Sequence, residues 1–527
     1  MKPVFRVILG LVQALSALPA LAQDSGAPAQ APLSAINWLS VTASAPRPLA
    51  GAFPVTPASE ASGDSGISVR PLDAPRPEAV GLYPAARVGL PVTLWGPTPA
   101  ADLAVAIASL PVDMLPALRE LSLRLLLAEF NAPLPGAEVT EAPEFLLARI
   151  DALIAIGALD QAAALLDALG SDAAVLRLRR FDIGLLLGDE HAACLGVLRA
   201  QPPIGDDAAL IFCQARADQW PAAAALLAEA TAAGRLDPYM IDLLDQFLHA
   251  DETLPGAATL LPPPPGVPTP LALRLREATG DGASTAGLPV AFAHSDLRGT
   301  LGWRAQIEAA ERLVRIGAVS PNRLLGLYTE RRPAASGGIW ERVRHFQRLD
   351  AALTAGDPVA VAAALGDLWP LVQAAELEVA LATLYAPALA QARVSGAGAP
   401  IALRIALLSD NYETAALGLD AATATPEERF LAAVARGLDP SPEGAMPGEL
   451  ARAVAIAFGP EPMVPEGLAQ RLASGALGGE ILRVLAVLGG PGDPRALAEG
   501  LGALRAMGLE DIARRTALQA LLLERNG

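Results

Sequence analysis

The chain has 527 residues, more than one compact core serves, so two or more domains or an extended array are expected. Hydrophobic residues make up 52% and aromatic ones only 4%, so the apolar content is largely Ala and Leu, which favours packed helices over a thick sheet core. A formal net charge of −17 repels phosphate backbones and argues against nucleic-acid binding.

Residues 1–22 read as a secretory signal peptide. Lys2 (the only lysine) and Arg6 form the positive start, Val7 to Leu18 the apolar region, and Ala20-Leu21-Ala22 the small-residue site for cleavage before Gln23. No later run reaches the length of an apolar membrane span, so no integral membrane segment is expected after cleavage, and the mature chain belongs in the periplasm or outside the cell. Residues 23–100 read as a flexible leader rich in Ala, Pro and Ser, because Pro46, Pro48, Pro54, Pro57, Pro71, Pro75 and Pro77 deny a continuous helix or ladder. Its apolar patches Ile36–Leu39 and Val92–Trp95 are suited to local docking on the folded body.

Helical periodicity takes over from about Asp102. Leu146, Leu147, Ile150, Leu153 and Ile154 share one helical face; after Gly157, Ala162, Leu165, Leu166 and Leu169 share another, giving an αα-hairpin. Weaker copies follow at Val175–Leu187 with Asp189–Leu198, and at Ala208–Ala217 with Trp220–Thr231. The turn residues Gly157, Gly188 and Asp218 are 31 and 30 residues apart, and Ala162, Ala193 or Ala223 lies five positions after each. Leu254 to Pro270 is Pro-rich and Gly280 to Gly287 rich in Gly, Ser and Thr, so 254–295 reads as a linker or a break in the array. Hairpins resume at Glu308–Arg315, Phe346–Thr354, Leu403–Leu408 and Leu497–Ala506 with Glu510–Leu523. The expected organisation is an N-terminal helical array over 101–253 and a C-terminal one over 296–527.

With a small residue at each turn and an early Ala in the second helix, the chain resembles the tetratricopeptide-like superfamily of helical repeats. That resemblance implies an all-α fold, a right-handed superhelical stack of αα-hairpins, and says little about function.

Catalytic patterns are weak. Gly63-Asp64-Ser65-Gly66 matches the nucleophile tetrapeptide of trypsin-like proteases, but it lies in the leader and no histidine precedes His191. His191, His249, His294 and His345 are scattered singly, without metal-ligand spacing. Glu376 with Glu378, and Glu308 with Glu311, read as exposed charge rather than as an acid/base pair. Lytic transglycosylases carry a helical superhelix before a Glu-Ser catalytic motif, and that dipeptide is absent. The short Ala/Thr tract Ala421–Thr425 lacks the long regular array that ice binding needs, so antifreeze activity is not expected. No catalytic residue, cofactor or metal site is assigned.

Two features stand out. Cys194 and Cys213 fall on consecutive antiparallel helices, equidistant from the turn Gln201–Gly205, so they are expected to form a disulfide in an oxidising compartment. Arg298 to Arg348 holds ten arginines against four glutamates, a local +6, with Trp303, Tyr328, Trp340 and Phe346 interleaved. Arginine and aromatics are favoured at interaction hot spots, so Arg323, Tyr328, Arg331, Arg332, Trp340, Arg342 and Arg344 are the candidate docking residues for an acidic partner. The alternative is pairing within the acidic chain. The expected function is a non-catalytic exported scaffold that binds a protein or peptide in the cell envelope. Its alternatives are an accessory factor for cell-wall metabolism or for a periplasmic motility complex, and a hydrolase of unrecognised type.

Overall fold

Proline repeatedly begins helices among the described residues. A computed structural model describes residues 76–135, 143–169, 173–200, 205–249, 263–280, 282, 284–443, 446–490 and 492–523. In it Asp237-Pro238, Thr269-Pro270, Ser320-Pro321, Asp357-Pro358, Thr425-Pro426 and Asp493-Pro494 each open a helix. The first residue caps the free backbone N–H groups; the proline sits where its missing N–H costs nothing.

The described residues are mostly helical. The first helices are α1 (Ala100–Ala108), α2 (Pro116–Leu127), α3 (Glu144–Ala155), α4 (Leu159–Leu169), α5 (Ala174–Leu187), α6 (Glu190–Leu198), α7 (Asp207–Arg216), α8 (Trp220–Ala232), α9 (Pro238–Leu248) and α10 (Pro270–Ala278). The middle of the chain forms α11 (Ala293–Asp296), α12 (Trp303–Arg315), α13 (Pro321–Glu330), α14 (Gly338–Ala355), α15 (Pro358–Ala374), α16 (Glu378–Ala392), α17 (Ala399–Leu407) and α18 (Tyr412–Leu417). The last are α19 (Pro426–Ala435), α20 (Glu449–Phe458), α21 (Leu468–Ala473), α22 (Leu477–Leu488), α23 (Pro494–Ala506) and α24 (Glu510–Leu522). The only strands among the described residues, β1 (Tyr83–Pro84) and β2 (Ala128–Glu129), pair in parallel, Tyr83 opposite Ala128.

Hairpins of successive helices pack as the periodicity suggests, α3 on α4, α5 on α6 and α7 on α8. Gly157 (φ 74°), Gly188 (φ 84°) and Asp218 (φ 59°) all turn through the left-handed region. Ala162, Ala193 and Ala223 are buried. A Cβ on Gly184 would lie 2.8 Å from the Ala193 Cβ, so α5 and α6 approach too closely there for a larger pair.

Two expectations change. Only 23–75 of the expected leader lies outside the described residues, together with the signal peptide, Ile36–Leu39 and the protease-like tetrapeptide. The portion 76–100 is part of the folded body. Pro143 precedes α3 and offers no side-chain cap, so the Glu78 carboxylate accepts from the Leu146 N–H at 2.8 Å. Leu94 and Trp95 are buried; the Trp95 ring meets Phe145 edge-on at 5.1 Å. The Leu94 carbonyl accepts from Gly478 N–H at 2.9 Å. Composition misread this segment because its few apolar side chains are each individually placed, without a period.

The linker expected over 254–295 is also shorter. It contains α10 and α11, and Phe292 and His294 are buried. Nor does it separate two cores. One core runs from Val80 to Leu523. A second, smaller core joins α5 to α10, from Phe181 to Leu275. The C-terminal helices return to the N-terminal ones: α24 packs on α2, and α22 on both α1 and α2. Across that junction the Gln519 side chain accepts from the Ala117 N–H at 2.8 Å.

Candidate functional site

The arginine-rich segment forms α12, α13 and the first half of α14. Its aromatics face inward. Trp303 stacks obliquely on Trp340 at 5.0 Å and donates its indole N–H to the Leu327 carbonyl at 3.0 Å. Tyr328 is 1% exposed, packs edge-on against Phe346, and donates its hydroxyl to Glu311. Arg342 Nε donates to the same carboxylate at 2.9 Å and to the Tyr328 oxygen at 3.2 Å. Burial, reinforced by the Glu311 charge, holds Tyr328 well above the usual tyrosine range, so it stays a hydrogen-bond donor.

Tyr328 and Arg342 are therefore built into the interior, and Trp340 is half-buried. The other arginines divide. Arg298 reaches the Ser295 carbonyl and Glu277; Arg312 reaches the carbonyls of Thr285 and Leu288. Arg348 pairs with Asp367 at 2.8 Å, and Arg344 is half-buried with its guanidinium on the Ala335 carbonyl. Only Arg323, Arg331 and Arg332 of the seven docking candidates are exposed, and Arg331 meets Glu330 at 2.7 Å. Part of the segment's positive charge is spent inside the fold, while Arg304, Arg315, Arg323, Arg331, Arg332 and Arg348 stay exposed. The carboxylates read as exposed charge are likewise partly internal, since Glu378 is 1% exposed and Glu311 carries Arg342 and Tyr328.

Two neighbouring cavities form near the α22–α24 junction with α1 and α2. The first, about 670 Å³, lies among α1, α2 and α3. Small side chains line its flanks, Ala101, Ala104 and Ala108 from α1 and Ala148, Ala152 and Ala155 from α3. Val105, also on its wall, is 71% exposed. The second, about 730 Å³, is bounded by the turn before α2, the end of α12, the start of α20 and the glycine-rich turn between α22 and α23. Its charged lining is Asp113, Glu376, Glu449 and Asp493 against Arg119 and Arg315, an excess of two negative charges.

Met114 and Arg119 line both cavities. Arg119 is 4% exposed and donates to the carbonyls of Met114 at 2.6 Å and Arg315 at 2.8 Å. Arg315 in turn lies 3.6 Å from Glu376, whose φ of 56° puts a non-glycine residue in left-handed backbone on the cavity rim. Sequence reasoning missed the second cavity because its walls come from opposite ends of the chain, and the first because its walls meet only when α1 packs on α3. The alanines at i, i+3 and i+7 on α1, and at i, i+4 and i+7 on α3, were the available signal.

Cys194 and Cys213 are bonded, with their Cα atoms 5.0 Å apart, and tie α6 to α7. His294 Nε2 lies 2.7 Å from the Gly157 carbonyl, and burial pushes its pKa down. Among the described residues no group of three His, Cys, Asp or Glu side chains could hold a metal ion, and no helix is long and apolar enough to cross a membrane. No model of a known protein family, no curated protein and no solved structure matches this chain.

Proposed function

We propose that the protein is a non-catalytic, exported helical scaffold whose hairpins stack in a right-handed, tetratricopeptide-like course and hold a segment of a partner protein. The observation that carries this reading is the adjacency of the two cavities. An alanine-walled trough suits an apolar run, since small side chains leave room for a visitor's larger ones. The neighbouring chamber carries excess negative charge, so the fitting segment follows its apolar run with basic side chains. A groove that receives such a segment repeats the helix-in-groove and extended-peptide modes of other helical scaffolds. The Cys194–Cys213 bond supports an oxidising compartment, in keeping with the signal-like residues 1–22.

The test is site-specific photocrosslinking in intact cells. A crosslinker at Val105 should trap a defined partner that is lost when Ala155 is changed to Asp, while one at Val359, 80% exposed and outside both cavities, should not. Equal trapping from both positions, or trapping indifferent to Ala155→Asp, rejects the groove as the docking site. Intact mass of the exported chain checks the compartment, and a mature start at Gln23 is expected.

A further inference from the structure

We propose that a pocket between α5 and α6 binds a tetrahedral oxyanion, either free phosphate or a phosphate monoester. The pocket is small, about 250 Å³, below the size that most organic ligands occupy. Arg177, Arg180 and Arg199 line it, with apolar walls from Phe181, Ala193 and Leu195. No carboxylate lines it among the described residues. Three guanidinium groups around one small concavity are out of keeping with a chain of net charge −17. Arg177 is only 7% exposed, and the Arg180 Nε is buried without a hydrogen-bond partner in the structure. Among the described residues Arg180 pairs with Asp167 at 3.1 Å, whose side chain is 73% exposed. Such a surface pair contributes little, and an incoming dianion displaces it readily. Guanidinium forks match the geometry of phosphate oxygens, and the apolar walls reduce screening of the attraction. The Cys194–Cys213 bond ties α6, whose Ala193 and Leu195 line the pocket, to α7, which helps pre-organise that wall.

Gly196 supplies the decisive variant. It lines the pocket, and a Cβ built on it meets nothing within 4 Å, so a larger side chain enters open space rather than the core. Inorganic phosphate and glycerol 3-phosphate are titrated calorimetrically into the full disulfide-bonded chain at low ionic strength. Saturable binding is expected, weakened at least tenfold by Arg180→Gln with Arg199→Gln. Gly196→Glu, which puts a tethered carboxylate among the arginines, should abolish binding with the melting temperature maintained. Tighter binding of the ester assigns the site to phosphate monoesters; equal or weaker binding assigns it to free phosphate. No saturable binding of either anion, or binding unchanged in both variants, overturns the proposal.

Discussion

The main core and the smaller core hold themselves together by different means. The smaller one, α5 to α10, is built from helices adjacent in sequence and carries the disulfide between Cys194 and Cys213, 19 residues apart. The main core joins residues up to 402 apart, as at Ala117 and Gln519, and has no covalent link. In its place it buries charged and polar side chains that satisfy backbone groups at junctions. The difference teaches that short-range hairpins need a staple where their shared core is small, while a closed arrangement of distant elements is locked by hydrogen bonds that only the assembled fold offers.

Arg149 is the strongest point at which to break the main core. It is 2% exposed and donates to the carbonyls of Leu126, Val80 and Ala128, joining the N-terminal segment to α3 and to the strand after α2. Burial lowers its pKa to about 10, so it remains charged at neutral pH. Arg149→Met strands those carbonyls and should cost about 3–5 kcal/mol in denaturant unfolding. Loss of less than 1 kcal/mol would mean that the apolar packing around Val80 and Trp95 closes the junction unaided.

Reducing the disulfide should cost roughly 3 kcal/mol, and the loss should be local. Hydrogen exchange should quicken across α5–α9 and stay slow in α19–α24. A uniform loss of protection would make the two cores one cooperative unit and remove the distinction.

Arg342→Met leaves the Glu311 carboxylate, 13% exposed, without its guanidinium and should cost about 2–3 kcal/mol. Arg348→Gln, on the same helix but in an exposed pair with Asp367, should change stability by about 0.5 kcal/mol or less. Equal thermal shifts in the two variants would contradict the division between interior and surface arginines.

Asp182, on α5 in the smaller region, gives a modest effect that depends on pH. Burial pushes it up to about 6, with Arg179 opposing and Asp206 and Asp151 adding to the rise. A carboxyl raised in the folded state favours folding while it is protonated. That stability is fully present below its unfolded value near 3.8 and is lost as pH rises through about 6. Asp182→Asn should therefore stabilise by about 1–2 kcal/mol at pH 8, allowing for partial solvent screening, and by nearly nothing at pH 3.5. A gain independent of pH would show that the carboxylate charge is not what the fold resists.

Helices and their turns were legible in the chain because each depends on neighbours within a turn or two. Gly157, Gly188 and Asp218 end helices by their own backbone preference, and the interval between them places the hairpins. The cap-and-proline pairs start helices for the same local reason, and Cys194 and Cys213 lie across one hairpin, close enough in sequence for the turn to bring them opposite each other. Three things were decided only by tertiary structure. Residues 76–100 fold because Glu78, Leu94 and Trp95 find partners on α3 and α22, which composition does not encode. The arginines of 298–348 look like a docking surface as a tally, yet Glu277, Glu311 and backbone carbonyls hold Arg298, Arg312 and Arg342 inside the fold. The second cavity beside Arg119 exists because α22 and α24 close on α1 and α2, and a contact across most of the chain's length leaves no periodic trace in either partner.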